Sequence, residues 1–166
     1  RMNKPSGLDL SLRDGIEMSR GEYILIMDSD HNHDPEVTSQ MVKFSEFYDL
    51  VSGSRFTTGG GMSNKLEWFS NLLFNLLIRI ILLVPTQDNL AGFFCIKKSK
   101  LLSLDLDFIF KNHGDYFFRL IYSIHLSKAQ ILEIPFVSKS RSYGKSKKSF
   151  LNRAFIYLKE IISLKI

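Results

Sequence analysis

The stretch Tyr23–Pro35, YILIMDSDHNHDP, decides how this chain is read. Its apolar run, Tyr23 to Met27, is short, partly β-branched and followed by turn residues, the pattern of a buried strand. Two carboxylates, Asp28 and Asp30, come next with only Ser29 between them. Side chains alternate along a strand, so both acids leave its end on the same side. Asp34-Pro35 then has the form of an N-cap followed by proline at the first helical position. The unit is strand, acidic turn, helix. In open α/β sheets ligands sit at the carboxyl ends of strands, and the acidic pair falls there.

Two carboxylates so placed repel each other unless a cation lies between them. An all-oxygen site suits Mg²⁺ or Mn²⁺, with positions left for water or a diphosphate. The plainer reading is a pair of turn caps, and a DxD alone does not separate the two.

Working outward, 166 residues with 45% hydrophobic content can bury one core, so one domain is expected. The first residues, from Arg1, show no signal-peptide pattern. A single cysteine, Cys95, excludes an internal disulfide and suits a reducing compartment. The net charge of +5 is modest but unevenly spread: Lys139 to Arg153 holds six basic residues and no acid. Such a cluster points to phosphates, on a small molecule, a nucleic acid or a membrane. The most apolar segment, Leu72–Val84, is interrupted by Asn75 and Arg79 and is too short to span a bilayer.

Periodicity predicts helices at Leu8–Ser19 (apolar 8, 12 and 16), Pro35–Tyr48 (Val37, Met41, Phe44 and Tyr48 on one face) and Leu66–Val84, ended by Pro85. Further helices are expected over Asp115–His125 and Phe150–Ile166, the last amphipathic with Leu151, Ala154, Phe155, Leu158 and Ile162 on one side. Strands are expected at 23–28, Leu50–Ser54, Phe93–Ile96 and Gln130–Val137, with Pro135 marking an edge position or a bulge. Gly59-Gly60-Gly61, in the loop opened by Arg55, reads as a flexible lid. Alternating strands and helices give an α/β class. The expected division is 1–148, a catalytic portion, and 149–166, the amphipathic helix.

The order IMDSDHNHDP, VSGSRF, DNLAGFF, then EIPF followed by RSYGKSK, resembles the family 2 glycosyltransferases, in particular those that use dolichyl or polyprenyl phosphate. The resemblance runs from about Gly7 to Lys148, and four motifs in one order are far more specific than any of them singly. There are departures. The acidic turn reads Asp30-His31-Asn32, the TSGF element is Leu90-Ala91-Gly92-Phe93 without its hydroxyls, and Arg119 stands where relatives often carry Glu. The βαβ portion that holds the nucleotide base in the family has no counterpart here, so the chain is expected to be a fragment, inactive alone.

The resemblance implies a nucleotide-sugar-binding GT-A (Rossmann-like) fold, partial at its N-terminus. It implies inverting, metal-dependent transfer of a hexose, mannose first, from a GDP- or UDP-sugar to dolichyl or polyprenyl phosphate. Asp28 and Asp30 would hold the donor through Mg²⁺ or Mn²⁺, with Asn32 as a third metal ligand, and Asp28, Asp30 and Asp88 would form the catalytic set. Arg55, Arg141, Ser146 and Lys147 would bind the acceptor phosphate. The expected setting is a membrane surface, on its cytoplasmic face. Another donor or acceptor, or a non-catalytic phosphate-binding relative, are the alternatives; the acidic pair argues against a nucleic-acid partner for the basic run.

Each residue also has a plainer reading. Arg55 can be an exposed loop residue, and Asp88 either a turn residue or a carboxylate facing sugar or acceptor. His31 and His33 lack the further ligands of a zinc site. Trp68, Phe69 and Phe74 fit the core or a membrane interface. The 139–153 run can be a solvated charge run, although Tyr143 and Gly144 interrupt it.

Overall fold

Four strands form the central sheet of the computed structural model, which describes residues 7–28, 34–111, 116–139 and 150–164. In chain order the elements are α1 (Leu8–Met18), β1 (Tyr23–Ile26), α2 (Pro35–Phe44), β2 (Leu50–Ser54), β3 (Gly61–Met62) and α3 (Lys65–Leu82). Then come β4 (Phe94–Lys97), α4 (Lys98–Leu102), α5 (Leu106–Ile109), α6 (Tyr116–Leu126), β5 (Ile131–Pro135), β6 (Val137–Ser138) and α7 (Phe150–Ser163). The main sheet has the order β1-β4-β2-β5. Strand β4 runs antiparallel to both β1 and β2, and β2 is parallel to β5. The fold is mixed α/β, and β5 is an outer strand, as Pro135 requires.

Strand alternation sorts the core into two layers. Ile24, Leu50, Phe94 and Ile96 face a large cluster with Ile16 of α1, Ile78 and Leu82 of α3, Leu120, Ile121 and Ile124 of α6 and Ile161 of α7. Val51, Phe93, Cys95 and Ile134 face the other way, against Met41 of α2 and Phe136. Burial raises the Cys95 thiol above its ordinary value and keeps it neutral.

Helix ends follow local chemistry. Asp34 Oδ1 accepts from Glu36 N at 2.9 Å, with Pro35 starting α2. Asn64 Oδ1 accepts from Leu66 N and Glu67 N at the start of α3, and Leu83 closes it in the left-handed region, φ 56°.

Three expectations need correction. The triple glycine is not a free lid: Gly61 N donates to Phe136 O at 3.1 Å and Ser63 N to Ser138 O at 3.1 Å, pairing β3 with β6 in a second, parallel sheet. A Cβ on Gly60 would stand 2.5 Å from Ser54 O and 2.9 Å from Arg55 C, so glycine lets the loop fold back on the β2 end. In α1, Leu8 is exposed and Asp9 fully buried, because buried Arg119 of α6 lies 3.8 Å from Asp9 Oδ2. Glu160 of α7 approaches the same guanidinium at 3.5 Å. In α7, Leu158 and Ile162 of the expected apolar face are exposed, while Ile161 is fully buried and Tyr157 meets Phe74 and Phe118 edge-on, so the packed face is turned towards α3 and α6.

Candidate functional site

Strand direction brings the motifs together. β1, β2 and β5 finish at the end of the sheet where antiparallel β4 begins, as the register Ile26↔Phe94, Ser52↔Phe94 and Ser54↔Pro135 records. Asp28 follows β1, Arg55 follows β2 and Gly92-Phe93 leads into β4 at that end. Lys139, the first residue of the basic run, follows the β5–β6 segment and is exposed.

Arg55 and Asp88 pair with each other. Arg55 Nε donates to Asp88 Oδ2 at 2.6 Å, Nη2 to Oδ1 at 2.8 Å, and the Arg55 backbone N–H to Oδ2 at 3.0 Å. Asp88 is fully buried and Arg55 nearly so. Asp88 Oδ1 also accepts from Leu90 N at 3.2 Å. The carboxylate is thus saturated by donors, the arrangement that keeps a buried charge stable. Arg55 Cζ lies 5.7 Å from the Phe56 ring, which in turn meets Trp68 of α3.

The turn carrying Asp88 is tied down from three sides. Glu133 of β5 accepts from Gln87 N at 2.7 Å and Asp88 N at 2.9 Å. Asn75 of α3 accepts from Asn89 N at 2.6 Å. Thr86 Oγ1 meets Asn89 Oδ1 at 2.5 Å. Neither Asn75 nor Glu133 was singled out by motif reading. The signal for Asn75 was its phase: with Ile78 and Leu82 it lies on the buried face of α3, where a polar side chain must find partners.

Gly92 has φ +66°, and a Cβ there would lie 2.9 Å from the Tyr116 hydroxyl, which donates to Gly92 O at 3.3 Å. Burial pushes the Tyr116 phenol well above its ordinary value, and the negative charge of Asp28 adds to the shift. The start of α6 therefore lies within the field of the β1 end.

Asp28 is exposed at that end. Its expected companions Asp30 and Asn32, with His31 and His33, lie outside the described residues, as do Arg141, Ser146 and Lys147. Among the described residues, no group of three His, Cys, Asp or Glu side chains forms a metal cluster.

Leu66, Phe69, Leu73, Leu76 and Ile80 of α3, with Leu83 just after it, are all exposed at alternating spacings of three and four. They line one face of the helix opposite Asn75, Ile78 and Leu82. No helix among the described residues is long and apolar enough to cross a membrane.

Residues 1–103 match the model of the family described as glycosyl transferase family 2. The chain belongs to that family. Among its curated relatives in family 2 is a dolichol-phosphate mannosyltransferase of Pyrococcus furiosus, 28% identical over 171 residues, covering 99% of this chain and 46% of the relative. Another is an undecaprenyl-phosphate mannosyltransferase of Micrococcus luteus, 31% identical over 140 residues, covering 80% and 56%. A solved putative nucleotide-diphospho-sugar transferase from Desulfovibrio desulfuricans aligns over 95% of this chain and 60% of its own, with 14% identity and a TM-score of 0.44. This family 2 chain spans about half the length of the curated relatives it matches.

Proposed function

We propose that this family 2 chain is part of an enzyme that moves a hexose, mannose first, from a GDP- or UDP-sugar to a dolichyl or polyprenyl phosphate, with inversion at the anomeric carbon. The observation that carries the reading is the convergence of Asp28, the Arg55–Asp88 pair and Gly92 at one end of the sheet. The names of the relatives supply the substrate class.

Asp28, with Asp30 and Asn32, would hold Mg²⁺ or Mn²⁺. Carboxylate and amide oxygens are the donors such ions take. When bound, the ion would stabilise negative charge on the departing nucleoside diphosphate.

The acceptor phosphate falls to Arg55, Arg141, Ser146 and Lys147. Two nitrogens of Arg55 are held by Asp88, which leaves Nη1 with no hydrogen bond to a described residue. A guanidinium fixed along one side is ready to donate to a phosphate oxygen. A phosphate monoester has a second pKa of about 6 and is already largely dianionic at neutral pH. It needs positioning and charge compensation more than a base. Asp88 then serves transfer by holding Arg55, since its oxygens are already given to donors.

A lipid-linked acceptor also gives the exposed stripe of α3 a role, lying on the cytoplasmic face of a membrane. The test is transfer of labelled hexose from GDP- or UDP-sugar to polyprenyl phosphate by the full-length protein, with Mg²⁺ or Mn²⁺ and with chelator. Lipid-extractable label that needs the metal and disappears in Asp28→Ala is the expected result. Undiminished transfer in Asp28→Ala, or none from any nucleotide hexose, would overturn the reading.

A further inference from the structure

The polar side chain buried deepest in α3 faces the Arg55–Asp88 pair rather than solvent. Asn75 is 1% exposed. Its Oδ1 accepts from Asn89 N at 2.6 Å, and its Nδ2 donates to Asp88 Oδ1 at 3.4 Å. Only one orientation of the amide satisfies both. Turned over, the carbonyl would oppose the carboxylate and the NH₂ would oppose a backbone N–H. Asn75 therefore reads the charge of Asp88 on one side and fixes the following peptide on the other.

Asp88 Oδ1 is also the acceptor for Arg55 Nη2 at 2.8 Å. The chain of contacts runs from α3 through Asn75 and Asp88 to Arg55, and ends at Nη1. Glu133 holds the same turn through its backbone N–H groups and touches neither oxygen of Asp88 among the described contacts. Of these two supports, only Asn75 bears on the direction of the carboxylate.

We infer that Asn75 is a positioning residue: it aims the Asp88 carboxylate so that Arg55 presents Nη1 to a phosphate monoester. This rests on the proposed role of Arg55 in acceptor binding and adds a residue to it. Asn75 touches no substrate. Its loss should weaken binding of the phosphate and leave binding of an uncharged isoprenoid unchanged.

The test is equilibrium binding of farnesyl phosphate, with farnesol as the uncharged comparator, to the full-length protein and to its Asn75→Asp, Asn75→Leu, Arg55→Lys and Asn75→Asp/Arg55→Lys variants. Asn75→Asp keeps the shape and the acceptor for Asn89 N but sets a second carboxylate against Asp88 Oδ1 in place of the donor. It carries the test if Asn75→Leu melts below the measuring temperature. If the misdirected Arg55 no longer donates from Nη1 to the phosphate, the loss of that charge-assisted hydrogen bond should weaken farnesyl phosphate about tenfold. Farnesol should bind as before. In the Arg55→Lys background, Asn75→Asp should add less than about twofold, because its effect travels through Arg55. Unchanged affinity in folded Asn75→Asp, or a full further loss in the Arg55→Lys background, would overturn the inference while sparing the proposed function. If the unsubstituted chain bound farnesyl phosphate no better than farnesol, both would fall together.

Discussion

Arg55 and Asp88, 33 residues apart in sequence, meet through two side-chain hydrogen bonds of 2.6 and 2.8 Å, with Asp88 fully buried and Arg55 9% exposed. Removing one partner of a buried ion pair leaves the other charged and unsatisfied, at a cost of about 3–5 kcal/mol. Asp88→Ala should lower the thermal midpoint by roughly 6–20 °C, read by circular dichroism. Arg55→Lys should cost less, since a charge remains without the two-pronged geometry. Equal melting of Asp88→Ala and the parent chain would show that the pair does not hold the site.

The exposed stripe of α3 makes a separate prediction. Leu73 and Leu76 lie in its middle, away from the buried face. Leu73→Glu/Leu76→Glu should change stability by less than about 1 kcal/mol, as surface substitutions do. It should nevertheless abolish flotation with anionic vesicles at low salt. Flotation as strong as that of the parent would remove α3 from the membrane surface.

Asp9, Arg119 and Glu160 join α1, α6 and α7 around one buried guanidinium. Asp9→Ala should destabilise the fold by about 3 kcal/mol, measured by urea unfolding. Glu160→Ala should cost less, because Glu160 is partly exposed and water screens its charge. If Glu160→Ala proved the more harmful, the network would be anchored at α7 rather than at α1.

Alkaline pH tests the buried thiol and phenol. Cys95 and Tyr116 both have raised values in the folded chain, against ordinary ones of 9.0 and 10.0. In the unfolded chain they ionise sooner, so above these ordinary values the folded state binds more protons and stability falls as pH rises. Their contribution is complete below about pH 9. The urea midpoint should fall as the pH is raised above about 9, and fall less in Cys95→Ala/Tyr116→Phe. An identical slope in that variant would assign the loss to other groups.

Local pattern was enough for several elements. The run Tyr23–Ile26 became a strand, Asp34-Pro35 capped a helix, and Lys65–Leu82 formed the long helix stopped before Pro85. These depend on side-chain alternation, helical phase and proline geometry, all of which act over a few neighbouring residues. Family 2 membership was equally legible, because motif order is a property of the chain itself. The β3–β6 pairing was not. It joins two-residue strands whose paired residues lie 76 positions apart, and neither segment has a pattern long enough to announce it.

What only the tertiary structure decided is the state of the charged side chains. Sequence offers Arg55, Asp88, Asn75 and Arg119 as polar letters whose partners are chosen by long-range packing. Reversing β4 relative to β1 and β2 brings the turn at 86–90 beside the end of β2, so Arg55 finds Asp88. Rotation of α1 carries Asp9 inward to Arg119 and leaves Leu8 outside. A buried charge is tolerable only where opposite charge and hydrogen-bond donors converge on it, and that convergence exists only once distant elements have packed.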